Sequence, residues 1–241
     1  MKTEILPDAG SVARRGAAIV LEQARSAIAA RGRFTFAVSG GTTPWQMLRL
    51  IASEDLPWEK VHFVQVDERV APDGHEDRNL THLSEAMRGQ SQLPAANIHP
   101  MPVTESDLIQ ACDRYAAVLA DLAGEPPVID LVHLGLGSDG HTASLVPGDP
   151  VLKVNQQDVA TTGEYQGRLR MTLTYPAINR ARHILWLVTG ASKAEMVSRM
   201  VDADAAIPAG RVRQSGAILV VDDAAGSHLE IASRQIDEGE D

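Results

Sequence analysis

The stretch Ile129-Asp130-Leu131-Val132-His133-Leu134-Gly135-Leu136-Gly137-Ser138-Asp139-Gly140-His141-Thr142-Ala143-Ser144-Leu145 decides how this chain is read. Its first six residues form a mostly apolar run of the length expected of a buried strand. A glycine-rich loop comes next and sets Asp139 and His141 two residues apart at the strand's end. Such a loop presents chemistry to solvent, whereas the run before it belongs to the core.

Working outward from 129–134, the same alternation recurs. Val12, Ile19, Val20, Ala27 and Ile28 repeat at helical spacing, so a helix over about 10–30 leads into the strand 34–38. Further strands are expected at 61–66, 184–189 and 217–221, with weaker ones near 98–101 and 169–174. Helices are expected at about 44–52, 107–123 and 192–202. The alternation predicts an α/β fold, Rossmann-like, with a mostly parallel sheet carrying helices on both faces. With no internal repeat or long polar linker, residues 1–241 read as a single domain. Segment 148–168 is the least regular, and the acidic end at about 236–241 reads as a frayed tail.

Composition narrows the function classes. The formal net charge of −10 opposes non-specific nucleic-acid binding, and no basic cluster offsets it. No apolar run is long enough for a membrane span, and the start Met1-Lys2-Thr3-Glu4 lacks the apolar segment of a secretory signal, so a cytoplasmic location is expected. Cys112, the single cysteine, falls on the stripe Leu108, Cys112, Tyr115, Leu119, Leu122, which is a helix face destined for packing. Whether the chain acts as a monomer or an oligomer is not written in these residues.

In parallel sheets, ligands bind outside the carboxyl ends of the strands. Four polar stretches fall there: Ser39-Gly40-Gly41-Thr42-Thr43-Pro44, Asp67-Glu68-Arg69, Ser138-Asp139-Gly140-His141 and Gly190-Ala191-Ser192-Lys193. Gly40 and Gly41 let backbone N–H groups approach an anion, and Thr43 reads as an N-cap with Pro44 in the first helical turn. The same pattern also serves an ordinary strand-to-helix turn. It is neither a Walker A sequence nor a dinucleotide fingerprint. Lys193 opens a helix where its charge opposes the dipole, which an anionic neighbour would explain and a solvated surface position would tolerate. Arg170 is either a fork for phosphate or a charge on an edge strand. Asp67-Glu68-Arg69 offers a carboxylate and a guanidinium in one turn, for a site or for a simple ion-pair cluster. His141 suits proton transfer near neutrality, with Asp139 to orient the ring or stabilise its charged form. No Gly-x-Ser-x-Gly elbow is present, so attack by an activated water fits better than covalent serine chemistry.

Together, Ser39–Pro44, Val66-Asp67-Glu68-Arg69, Gly135–Leu145, Arg170-Met171-Thr172-Leu173-Thr174 and Gly190–Lys193 resemble the ordered motif set of 6-phosphogluconolactonases, over roughly residues 34–225. The resemblance implies a Rossmann-like fold shared with glucosamine-6-phosphate deaminases. It also implies hydrolysis of a small-molecule sugar-phosphate lactone, 6-phospho-D-glucono-1,5-lactone, without metal or organic cofactor. On it, His141, Asp139 and Arg69 are the candidates for the chemistry. Ser39, Gly40, Gly41, Thr42, Thr43, Arg170, Lys193 and Asp67 are the candidates for holding substrate. Two departures stand out: Val146 where many relatives carry Phe, and Gly210 where Ser is usual. The deaminases place a glutamate five positions after the histidine, where this chain has Val146. A sugar-phosphate-binding effector domain would need a DNA-binding module for which residues 1–33 leave space for one helix only.

Overall fold

The structure is a computed structural model that describes residues 1–89 and 92–229. The acidic stretch 236–241 lies outside them. Sixteen helices and strands carry the fold: β1 (Lys2–Leu6), α1 (Ala9–Arg31), β2 (Phe34–Val38), α2 (Thr42–Ala52), β3 (Val61–Gln65), β4 (Asp67–Arg69), α3 (Asn79–Met87), β5 (Ile98–His99), α4 (Leu108–Ala123), β6 (Leu131–Leu134), β7 (Val159–Thr161), β8 (Arg170–Leu173), α5 (Tyr175–Arg180), β9 (His183–Val188), α6 (Ala194–Val201) and β10 (Ala217–Asp222).

Seven strands form one parallel sheet in the order β1-β10-β9-β6-β2-β3-β5. Successive side chains alternate between its two faces. On β2, Phe34, Phe36 and Val38 join a core with α1, α2 and α3, while Ala37 joins the opposite core with α4 and α6. On β9, Leu185 and Leu187 go to the first core and Ile184, Trp186 and Val188 to the second. Helices therefore cover both faces, as the continuous apolar runs require. From β2 the chain proceeds to β3 and β5 on one side, then returns to β6, β9 and β10 on the other. The strand order thus reverses between β2 and β6, and a crevice opens outside the carboxyl ends there.

A second, three-stranded antiparallel sheet, β4-β8-β7, adjoins this edge. Asp67-Glu68-Arg69, expected as a turn, is strand β4: the chain leaves β3 through Val66 and pairs with β8, Leu173 N donating to Val66 O at 2.7 Å. The weak strand near 169–174 is therefore real but belongs to this small sheet. Arg170 is not on an edge strand, because β8 is the sheet's central strand and Arg170 is buried. The irregular segment 148–168 supplies β7 and a tight turn in which Tyr165 and Arg168 pair.

The expected helix at 107–123 forms over 108–123, capped by Asp107, whose carboxylate accepts from Ile109 N and Gln110 N at 3.0 Å each. Cys112 is buried on its inner face, and burial, ahead of the neighbouring Asp113 charge, pushes its thiol up to about 11. Packing is its role.

Candidate active site

The loop after β2 enters α2 through Gly41, which stands at the N-cap with φ 134 in the region that favours glycine. Thr43 is therefore not the N-cap expected of it. It lies one residue inside the helix, its hydroxyl 3.1 Å from that of Thr189. Gly40 is fixed differently: a Cβ there would sit 2.1 Å from Asn79 Oδ1. The loop's backbone thus runs against the start of α3 with no space for a side chain.

The start of α3 is held by Glu68, a fully buried carboxylate. It accepts from Asn79 N at 2.7 Å, Leu80 N at 2.9 Å, Arg69 N at 2.9 Å and Gln65 Nε2 at 2.8 Å, and pairs with buried Arg78 at 3.0 Å. Glu68 is therefore structural: it satisfies the orphan N–H groups of a helix that no local residue caps. Asn79 connects this frame to the cleft, accepting from Arg69 Nη1 at 3.0 Å and donating through Nδ2 to Asp67 O at 2.9 Å.

Arg69 and Arg170 face each other directly in the β4–β8 register. Like charges directly opposite one another are destabilising in a strand pair. Burial first, then Arg69, pushes the Arg170 guanidinium down, against the opposing pull of Asp67. The buried Nε atoms of both arginines and the buried hydroxyl of Ser39 lack hydrogen-bond partners among the described residues. Two guanidiniums placed opposite each other with unmet donors have the chemistry to accept an anion. Asp67 supplies only part of the countercharge and is itself engaged, accepting from Ser144 Oγ at 2.7 Å.

His141 comes from the loop after β6. Gly137 lies under it, and a Cβ there would be 2.1 Å from His141 Nδ1 and 2.6 Å from Asp139 Oδ1. Only glycine lets the pair close over the backbone. Asp139 Oδ1 stands 2.6 Å from His141 Nδ1 and also accepts from His141 N at 3.1 Å. Burial pushes the Asp139 carboxyl up, but the hydrogen bonds from His141 and Tyr165 and the His141 charge outweigh it, leaving the group below its ordinary range. An ionised carboxylate accepts only, so Nδ1 is the donor, and in the neutral imidazole Nε2 then carries the lone pair.

The cleft has a volume of about 290 Å³. Ser39, Gly40, Gly41, Thr42, Thr43, Asp67, Arg69, His141, Arg170 and Lys193 all line it, so the stretches after β2, β3, β6 and β9 are brought together with Arg170 of the small sheet. Lys193 closes a short 3₁₀ turn, 191–193, that leads straight into α6. Asp139 does not line the cleft; it holds the far side of the imidazole. Asn79 and Tyr165 are supporting residues of the site that sequence reading missed; Glu68 was named only within the Asp67-Glu68-Arg69 stretch, without its role at α3. The signal for the helix support was the acidic pair Asp67-Glu68 that follows the expected strand 61–66; Asn79 and Tyr165 give none.

A family model described as glucosamine-6-phosphate isomerases/6-phosphogluconolactonase matches residues 7–220. The chain belongs to that family. Among relatives, a 6-phosphogluconolactonase of Synechocystis sp. is 38% identical over 236 residues, covering 95% of this chain and 98% of its own. A solved 6-phosphogluconolactonase from Trypanosoma brucei superposes with a TM-score of 0.84 at 25% identity, covering 95% of this chain and 98% of its own. A monomeric glucosamine-6-phosphate deaminase superposes with a TM-score of 0.80 at 19% identity, over 95% and 100% of the two chains, so both branches of the family share this fold. Of the two departures from the family pattern, Gly210 has a local account, and nothing in the structure explains valine rather than phenylalanine at 146. Val146 is buried. A Cβ at Gly210 would lie 2.0 Å from Asp204 O, so the turn leaves no space for serine unless the 204 loop shifts. That turn also braces the His141 loop, Ala209 N donating to Gly140 O at 3.0 Å. Among the described residues, no helix is long and apolar enough to cross a membrane.

Proposed function

We propose that the protein hydrolyses 6-phospho-D-glucono-1,5-lactone to 6-phospho-D-gluconate. The observation that carries the reading is that a single cleft holds both the Arg69–Arg170 pair and the free Nε2 of an Asp139-held histidine. Arg170, Lys193 and the N–H groups of Ser39–Thr43 anchor the phosphate, and that binding energy orients the lactone ring. His141 Nε2 takes a proton from a water whose oxygen attacks C1. The carbonyl electrons move onto the oxyanion, which Arg69 and loop N–H groups stabilise. When the carbonyl re-forms, the C1–ring-oxygen bond breaks and His141 returns the proton to the departing oxygen. The product carboxylic acid then ionises in water. Asp139 fixes the imidazole tautomer throughout, and Asp67 limits the repulsion between the two arginines.

Family membership supports the lactonase and the deaminase equally at the level of fold. Val146, an apolar residue at the place where deaminases carry a glutamate, supports the lactonase. The test is real-time hydrolysis of the lactone above its spontaneous rate, beside a glucosamine 6-phosphate sample assayed for ammonia. Acceleration of the lactone alone is the expected result. Ammonia release, or lactone hydrolysis no faster than the blank, would overturn the reading.

A further inference from the structure

Tyr165 touches both halves of this site without lining the cleft. It sits in the hairpin between β7 and β8, where Tyr165 N donates to Arg168 O at 2.9 Å. Gln166 and Gly167 at its tip have φ of 53 and 76, both left-handed, the turn geometry whose twist suits a tight hairpin. Gln166 adopts it at a cost that glycine would avoid, so the surroundings over-determine the hairpin. The Tyr165 hydroxyl donates to Asp139 Oδ2 at 3.0 Å, and its ring meets His141 edge-on with centroids 5.3 Å apart. On its other side, the Arg170 guanidinium carbon lies 4.9 Å over the ring. Arg170 Nη2 also reaches the hairpin, at 3.2 Å from Gln166 Oε1.

We infer that Tyr165 is a positioning residue that ties the phosphate anchor to the general base. Its hydroxyl holds the second oxygen of Asp139, so that the first stays on His141 Nδ1. Its ring fixes the plane of Arg170 through cation–π contact, so the guanidinium enters the cleft already oriented. One side chain thereby sets the separation between the phosphate site and Nε2. This role rests on the lactonase reading of the site and deepens it.

The two functions separate chemically. Tyr165→Phe removes the hydroxyl and keeps the ring, whereas Tyr165→Leu removes both. Losing the hydroxyl turns the Asp139 charge more fully on the imidazole, which favours imidazolium and moves the acid limb of kcat to higher pH. The other charged groups lining the cleft with His141, namely Asp67, Arg69, Arg170 and Lys193, are unchanged by that substitution.

Tyr165→Phe is expected to lower kcat about three- to tenfold, the loss of one hydrogen bond, with KM and competitive inhibition by inorganic phosphate unchanged. Tyr165→Leu is expected to raise KM and weaken phosphate inhibition as well. In an Asp139→Asn background, Tyr165→Phe should have a smaller effect, because the hydroxyl acts chiefly through Asp139, at 3.0 Å, and only by a long 3.4 Å contact on His141 Nδ1 itself. NMR titration of the His141 ring in free wild type and Tyr165→Phe gives the same shift without turnover. If wild type fails to accelerate lactone hydrolysis while the His141 titration still moves in Tyr165→Phe, the functional reading falls and the coupling stands. An unmoved titration, or wild-type kcat and acid limb in Tyr165→Phe, overturns the coupling.

Discussion

The seven-stranded sheet buries mostly apolar side chains on both faces, with isolated buried polar residues such as Thr35, Gln65 and His133 within its strands. The three-stranded sheet places charged residues within its strands, with Arg69 directly opposite Arg170. Burial of Phe36, Trp186 and Leu219 stabilises the first sheet, at roughly 25 cal/mol per Å² of apolar surface removed from water. The second contains a like-charged pair, which is unfavourable in a strand pair and which the anion proposed to bind there would offset. On the proposed reading the small sheet supplies the arginines of the anion site and the large sheet the scaffold and the loops that complete it, the two being joined where the chain runs from β3 through Val66 into β4. Their physical difference is that the strands of the large sheet are mostly apolar, whereas β4 is wholly charged and sets Arg69 opposite Arg170 of β8.

Four substitutions test that division. His141→Ala should lower kcat by about 10²- to 10⁴-fold, the usual contribution of a positioned base, and leave the melting temperature and inorganic phosphate affinity unchanged. Steady-state kinetics and a thermal melt decide it. In the large sheet, Phe36→Ala should cost about 3–5 kcal/mol by urea denaturation, since the ring packs against Phe34 and Phe63, while KM per folded molecule holds. In the small sheet, Arg170→Ala should show the opposite pattern, raising KM roughly ten- to a hundredfold through lost charge-assisted hydrogen bonds. It should lose less stability than Phe36→Ala, because it also relieves the contact with Arg69. If Arg170→Ala destabilises the fold as strongly and leaves KM unchanged, the small sheet is scaffold too.

The smallest effect concerns His133, beneath the β2 loop, where Ser39 N stands 3.4 Å from its Nδ1. Complete burial holds its imidazole down to about 3. In the unfolded chain it takes up a proton near pH ~6.5. Its contribution to stability is therefore fully present above about pH 6.5 and declines as pH falls toward 3, by up to about 1.4 kcal/mol per unit. Urea midpoints of wild type and His133→Asn at pH 7 and 5 should converge on the acid side. A constant offset between the two proteins would contradict this.

The two sheets also differ in how far the sequence reveals them. Runs such as 34–38 and 184–189 are apolar at all but one position each, so burial and strand character coincide, and β2 and β9 form within a residue of their expected bounds. The strands β4 and β7 have three residues each, and β4 is wholly charged. Nothing local makes Asp67-Glu68-Arg69 extended; pairing with β8 does, which is the context dependence of strand propensity. The edge-strand alternative for Arg170 fails for the same reason, because neither neighbouring strand, β4 or β7, has a local signal. The cleft was more legible than the fold around it, since glycine, aspartate and histidine at a strand's end carry their own reasons for being there. Asn79 and Tyr165 were not legible, because their roles arise only when distant segments meet.

The most direct test of the division compares the phosphorylated lactone with unphosphorylated gluconolactone in wild type, Arg170→Ala and His141→Ala. A receptor sheet that anchors phosphate, separate from the histidine that activates water, predicts a large wild-type preference in kcat/KM for the phosphorylated substrate. Arg170→Ala should erase most of that preference, whereas His141→Ala should lower both substrates by the same factor and preserve it. Equal loss on both substrates in Arg170→Ala, or no preference in wild type, would contradict the account.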